Sequence, residues 1–376
     1  MGQKPVMRPT AFTGGAPASS LTMGVEEEFQ LVHSVTGAPD ARGPAVLAHA
    51  ARQRTSSAED GTSLHQEILA SMAETTTGVC GDLAEVRRQV TAGRARLAAA
   101  AREEGLRPLA VGVHPAPAPP RQVSGTEHYR SMHELYGQLV TETETCGCHV
   151  HVGTLDKDDA VTAVNHLRPW LPTLLALSAN SRFHNGLDTG YASWRTILLS
   201  RWPTNHIPPH FESAAHYEET LASLHRAGVL RPEANAYWLA RPSSRLPTVE
   251  IRVADVCATV DGAVLQAGLA RALVHTALND TADPPATSDG QLLAAALWTA
   301  ARHGIGGPAI HPRTGDRIPA AGLVRELFAT LRPALRETGD LEEMEQLLAD
   351  ILRDGTGADQ RRGSGAGAAP AHESSG

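Results

Sequence analysis

Three short stretches of the chain set paired polar side chains inside otherwise apolar runs: GVEEEF at 24–29, CHVHV at 148–152 and VEIRV at 249–253. Read as strands, each sends alternate side chains to opposite faces. Glu26 and Glu28 then share one face with Glu27 on the other, His149 and His151 share a face, and Glu250 and Arg252 lie opposite Val249, Ile251 and Val253. Glutamate is depleted in strand interiors, and facing carboxylates repel, so the Glu26/Glu28 pair asks for a cation between its members. Mg2+ suits: it takes hard oxygen ligands, usually one or two carboxylates plus substrate phosphates, and a nearby imidazole completes the shell or orients its water. The stretch HQEILASMAE adds Glu67 and Glu74, which meet on one face if the segment is helical or if a bulge resets a strand. Arg195, in GYASWRT, and Arg252 supply planar cations that bridge carboxylate or phosphate oxygens bidentately. Carboxylate-held metal with arginines is the equipment of phosphoryl transfer, where the protein's task is positioning and charge neutralisation.

Each motif alone has a plainer reading. An EEE run is usually a solvated face, an H-x-H pair a satisfied core or edge feature, and Glu250 with Arg252 a cross-strand ion pair. The repetition of a polar pair opposite an apolar face on three strands turns them into one floor, with the apolar faces packed under helices. His33, His65, His114, His206 and His210 read as loop or surface histidines, with His114 of GVHP placed to border a site.

The bulk of the sequence narrows the partners. The chain has 376 residues, 41% of them hydrophobic, enough for a sizeable core. Its formal net charge is −8 and no window holds a dense Lys/Arg cluster, so neither nucleic acid nor an anionic membrane is an expected partner. Small molecules are. Lys4 and Lys157 are the lysines, which excludes a lysine-bearing P-loop and leaves anions to arginine, metal or backbone. No apolar run reaches the roughly 18–20 residues of a membrane span, and the N-terminus lacks the apolar region of a secretory signal. A cytoplasmic location is expected. Cys80, Cys146, Cys148 and Cys257 include no C-x-x-C pair and read as reduced thiols.

Residues 1–20 and 354–376 are rich in Gly, Ala, Ser and Pro without period and are expected to be disordered tails around one domain at 21–353. Within it, strands are expected at 22–33, 109–113, 146–152 and 248–256. Helices are expected at 82–105, 156–180 with a bend near Pro169 and Pro172, 212–227, 261–279, 290–303, and as two segments within 320–352. Strands separated by long helical stretches without regular alternation indicate an α+β fold with an antiparallel sheet.

The stretches TMGVEEEFQLV, ETTTGVC, AVGVHP, CGCHVHVG, LPTLLALSANS, GLDTGYASWR, RPSSRLPTVEIRVADV and RHGIGGP, in that order, resemble the carboxylate–amine ligases of the glutamate–cysteine ligase type 2 family. The resemblance implies the fold of the glutamine synthetase and guanido kinase superfamily, a curved antiparallel sheet backed by helices that carries ATP and its Mg2+ ions. It implies an enzyme in which ATP phosphorylates a carboxylate, typically the γ-carboxylate of glutamate, and an amine displaces phosphate to give an amide. Glutamate–cysteine ligase activity and a homodimer are implied by the same route. On the family's pattern Glu26, Glu28, Glu67, Glu74, His149, His151 and Glu250 hold metal, while Arg195 and Arg252 contact phosphate or the acyl phosphate. Two departures touch a substrate-side loop and the metal strand: SRFHNG stands where relatives read SPFW-x-G, and LASMAE, leading to Glu74, stands where they read LQSQVE.

Two other classes compete. A metal-dependent amidohydrolase also uses H-x-H at a strand end, but would carry that pair early in the domain, with further His and Asp ligands on later strands. A non-catalytic descendant would be marked by loss of Glu26, Glu28 or Glu250, and all three are present.

Overall fold

Alternating apolar and polar residues build a central sheet, seen in a computed structural model that describes residues 21–52, 61–117, 122–154, 156–231, 234–279 and 289–364. Its strands are β1 (Met23–His33), β2 (Ser63–Gln66), β3 (Met72–Thr76), β4 (Leu106–Leu109), β5 (Gly147–Gly153), β8 (Ala240–Pro242) and β9 (Thr248–Asp255); β6 (Phe183–His184) with β7 (Leu187–Asp188), and β10 (Pro308–Ile310) with β11 (Arg317–Pro319), form separate hairpins. The sheet runs β2-β3-β1-β5-β9-β8, and β4 takes over from β5 along the far half of β1. Every pairing is antiparallel.

The helices are α1 (Gly43–Arg52), α2 (Leu83–Glu103), α3 (Glu127–Tyr136), α4 (Gln138–Glu142), α5 (Lys157–Leu167), α6 (Leu171–Ser178), α7 (Trp194–Leu199), α8 (Ala214–Arg226), α9 (Val260–Asn279), α10 (Gly290–His303), α11 (Ala320–Glu337), α12 (Leu341–Asp354) and α13 (Gly357–Ser364). Helices α2, α5, α6 and α9 pack on the apolar face of the sheet, and α11 and α12 close over α9 from behind. Val25, Val150, Val152, Val249, Ile251 and Val253 point into that core. Sandwiched between layers, α9 is buried nearly all round, the pattern of an enclosed helix rather than a surface one. Among the described residues no helix is long and apolar enough to cross a membrane.

The α+β reading with an antiparallel, helix-backed sheet holds. The local differences have physical causes. The strand expected at 109–113 lies earlier, as β4: Gly105 takes φ +68 at the end of α2, so the chain turns at once onto β1, and Val113 is left with an isolated bridge to Thr145. The stretch HQEILASMAE is neither one helix nor one bulged strand: His65 and Gln66 end β2, residues 67–71 turn, and Met72 to Glu74 begin β3, which pairs back antiparallel on β2. The 156–180 helix is three pieces, α5, a 3-10 turn at Arg168–Trp170, and α6, broken where the prolines were noted. The tail expected from 354 is ordered through α13, because Ala358 fits against Ala179 and Ala192 and Arg361 donates to Asn180 Oδ1 and the Ala110 carbonyl. Residues 1–20 and 365–376, the rest of the expected tails, lie outside the described residues.

One charge points the wrong way for a hydrophobic face. Glu27 is 1% exposed beneath the sheet, where Arg94 of α2 grips it through Nε at 2.8 Å and Nη2 at 2.6 Å. Arg94 Nη2 also donates to the Cys257 carbonyl at 2.8 Å, tying α2 to the end of β9. Breaking such a pair strands a buried charge and costs about 3–5 kcal/mol. Arg94→Met is therefore expected to lower the unfolding free energy by about that amount in urea titration, and the double change Glu27→Met with Arg94→Met to recover most of it; equal stability of single and double variants would contradict this.

Candidate active site

The opposite face of the sheet is polar, and strand register decides which residues meet. Glu26 of β1 stands opposite His149 of β5, Glu28 opposite Glu74 of β3, and His151 opposite Glu250 of β9. Two groups result. Ligand atoms of Glu26, His149 and Glu250 lie within 4.8 Å of one another, and those of Glu28, Glu67 and Glu74 do the same. Glu67 reaches its group because it begins the β2–β3 turn, whose backbone is pinned by Ser124 Oγ on the Glu67 carbonyl and by Tyr129 Oη on that of Gln66 at 3.0 Å.

His149 sits between the groups. Its Nδ1 is 3.4 Å from Glu26 and its Nε2 3.9 Å from Glu28. It is 3% exposed, and Nε2 makes no hydrogen bond. Burial, reinforced by the charge of Arg252, pushes its pKa below the usual histidine value, so the ring is neutral, the form that ligates metal. His151 behaves differently and belongs to neither group. Its Nδ1 meets Thr248 Oγ1 at 2.8 Å and its Nε2 faces Glu26 at 3.4 Å. Burial opposes its charged form, but Glu26 outweighs burial and raises its pKa. His151 thus stands behind Glu26, tied to Thr248 on one side and facing the carboxylate on the other. Burial likewise works against the Glu26 carboxylate, and the two imidazoles overcome it, holding the group well below the ordinary carboxylate range.

Glu250 is fully enclosed, a cost offset by Arg241 and Arg252, which drive its pKa far down. Arg252 Nη1 donates to Glu250 Oε1 and lies 3.4 Å from His149 Nδ1. Arg195, at the first turn of α7, is 3% exposed; its guanidinium reaches the carbonyls of Val253 and Arg252 at 3.3 Å and stands 3.8 Å from Asp255. Asp255 is itself fixed by Ser181 Oγ at 2.7 Å, Ser193 Oγ at 2.9 Å and the Asn180 N–H at 2.9 Å. The Nε groups of Arg195 and Arg252 are buried without a hydrogen-bond acceptor.

Gly147 lets these parts approach. A Cβ there would lie 2.4 Å from Arg195 Nη2 and 3.0 Å from His149 Nε2, while its N–H donates to Glu28 at 2.6 Å. All of the acidic residues marked by sequence, with His149, Arg195 and Arg252, therefore converge on one floor. Period-two patterning does not single out Arg241, Asp255 or Gly147, although Gly147 stands two residues before His149 and the stretch RPSSRLPTVEIRVADV contains both Arg241 and Asp255. His114 is not at the surface: it is 2% exposed and spans the Ala116 and Gly37 carbonyls at 2.9 and 3.0 Å, a loop strut.

The donor set fits Mg2+. It consists of carboxylate oxygens plus one buried imidazole, that of His149, which lies between the two groups. An amidohydrolase needs its H-x-H pair on one metal, and here the pair is split, one ring within a group and one outside it.

Residues 22–365 match the family model described as glutamate–cysteine ligase family 2. A provisionally named glutamate–cysteine ligase 2-1 of Saccharopolyspora erythraea is 44% identical over 343 residues, covering 91% of this chain and 89% of the relative. A provisionally named glutamate–cysteine ligase 2 of Salinispora arenicola is 44% identical over 358 residues, covering 93% and 92%. Among solved structures, the glutamate–cysteine ligase of Francisella tularensis in complex with AMP superposes with a TM-score of 0.61 at 12% identity, over 92% of this chain and 84% of that one. The bifunctional glutathione synthetase of Pasteurella multocida gives 0.62 at 15% identity, over 93% of this chain and 51% of that one. The structures speak for the fold and the sequences for descent: the chain belongs to glutamate–cysteine ligase family 2.

Proposed function

We propose that the chain is an ATP-dependent carboxylate–amine ligase whose acid substrate is glutamate and whose amine is an amino acid such as cysteine, with Mg2+ held on the polar floor. The observation that carries the reading is the pair of ligand groups on adjacent strands, flanked by two buried arginines with open donors. Glu26, His149 and Glu250 would hold one cation and Glu28, Glu67 and Glu74 a second. Bound Mg2+ would supply the positive charge that neutralises the nucleotide's phosphates.

The reaction runs in two displacements. An oxygen of the substrate carboxylate attacks the γ-phosphorus of ATP, the bond to ADP breaks, and an acyl phosphate forms. The amine nitrogen then attacks the acyl carbon, phosphate leaves, and the nitrogen loses a proton to give the amide. The chain's part is electrostatic. Arg252, beside both Glu250 and His149, and Arg195, beside Gly147, would present guanidinium N–H groups to phosphoryl oxygens. Fixed donors that need no reorganisation are worth most where charge develops, about 10²–10³ in rate for a single donor. His151 keeps Glu26 ionised and oriented, and Asp255 holds Arg195.

The test is ADP release from MgATP with glutamate across a panel of amines that includes cysteine, with and without EDTA. Amine-dependent, EDTA-sensitive release is expected; metal-dependent cleavage of amides without ATP turnover would sink the reading. Glu28→Gln is expected to cut turnover at least about 100-fold while the circular dichroism spectrum stays that of the native fold; normal turnover would remove Glu28 from the floor. Arg252→Lys keeps the charge and loses the fork, so kcat should drop about 100-fold, and near-normal kinetics would reduce Arg252 to an ion-pair partner.

A further inference from the structure

The RPSSR segment contains an arginine that the chemistry above leaves unused. Strand β8 is three residues long, yet its central Arg241 lies directly opposite Glu250 and takes both of that carboxylate's oxygens, Nε to Oε2 at 2.8 Å and Nη2 to Oε1 at 3.1 Å. The fork is anchored in turn by Nη1 on the Ala236 carbonyl. Both partners are withdrawn from water, at 14% and 6% side-chain exposure.

Arg241 shares the neutralisation of Glu250 with Arg252, at the desolvation cost of a second buried arginine. What Arg241 adds is direction. A carboxylate oxygen has about two lone-pair sites. Oε1 accepts from both Arg241 Nη2 and Arg252 Nη1, so its sites are used; Oε2 accepts from Arg241 Nε alone. A two-point fork also stops rotation of the carboxylate plane. Glu250 is left able to offer a single oxygen, Oε2, held in one orientation.

We propose that Arg241 is a positioning residue for the cation group of Glu26, His149 and Glu250, fixing Glu250 as a one-oxygen ligand and so setting that group's affinity for a divalent ion. The inference rests on the metal reading of the floor. Loss of an outer partner of a metal ligand typically costs about 10–100-fold in metal affinity. Pure electrostatics runs the other way, since removing a cation near the site would tighten binding of a dication.

The experiment is Mn2+ titration of the full chain, without nucleotide, followed by electron paramagnetic resonance, for wild type, Arg241→Met and Arg241→Lys. Both variants are expected to weaken one class of Mn2+ site about 10–100-fold and leave the class at Glu28, Glu67 and Glu74 unchanged. In steady-state assays the Mg2+ activation constant should rise by a similar factor with little change in KM for the acid. If the Met variant fails to fold, the Lys variant, which keeps the charge, carries the test. Unchanged or tighter Mn2+ binding in a folded variant overturns this inference alone, whereas a wild type that binds no Mn2+ overturns the metal reading and this inference with it.

Discussion

Crowding of negative charge on one face of a sheet is the constraint from which the rest of the molecule follows. Glu26, Glu28, Glu67, Glu74 and Glu250 all face the same floor, and Glu28 stands directly opposite Glu74 in the ladder, an arrangement that like charges make unfavourable. The protein offsets this repulsion at Glu26 and Glu250 with its own side chains. His151 braces Glu26, and Arg241 and Arg252 hold Glu250. Glu28, Glu67 and Glu74 converge within ligand distance of one another. A floor built this way favours positive charge at fixed points.

Such a floor works only if it does not relax. Carboxylates that could swing apart would do so, so the rigidity comes from below. The opposite face is packed with valines and isoleucine against α2, α5, α6 and α9, and the buried carboxylate of Glu27 there is clamped by Arg94. Gly147 completes the arrangement by omission: it has no side chain where Arg195 and His149 must come close. The stability of the core and the preorganisation of the site are one property, because the same strands carry an apolar residue downward and a polar one upward at each step.

That alternation also explains what the sequence reveals. Period-two patterning is local, so the shared faces of Glu26 with Glu28, His149 with His151, and Glu250 with Arg252 are readable from three short stretches, as is the sheet's burial on one side. Register is not local. That His149 enters a ligand group while His151 falls outside it depends on which residues of β1 and β9 stand opposite, and a shift between Cys148 and Val150 against β9 helps set it. Arg241 lies on a three-residue strand, too short to show any period. Asp255 looks like the end of β9 until Ser181 and Ser193, more than sixty residues away in sequence, close around it. His114 reads as a loop residue because two backbone carbonyls, one from each of two loops, define its role. The order of α13 depends on a contact between Ala358 and residues near 180 and 192, a distance no window analysis spans.

The central claim is that the floor supports transfer of a phosphoryl group to a carboxylate, so the most direct measurement follows the carboxylate oxygen. Glutamate labelled with oxygen-18 in its γ-carboxylate would be turned over with MgATP and an accepted amine, and the inorganic phosphate analysed by mass spectrometry. An acyl phosphate requires that the carboxylate oxygen bridging carbon and phosphorus leave with phosphate, so labelled phosphate is predicted in proportion to amide formed. Amide formation with unlabelled phosphate would contradict the account.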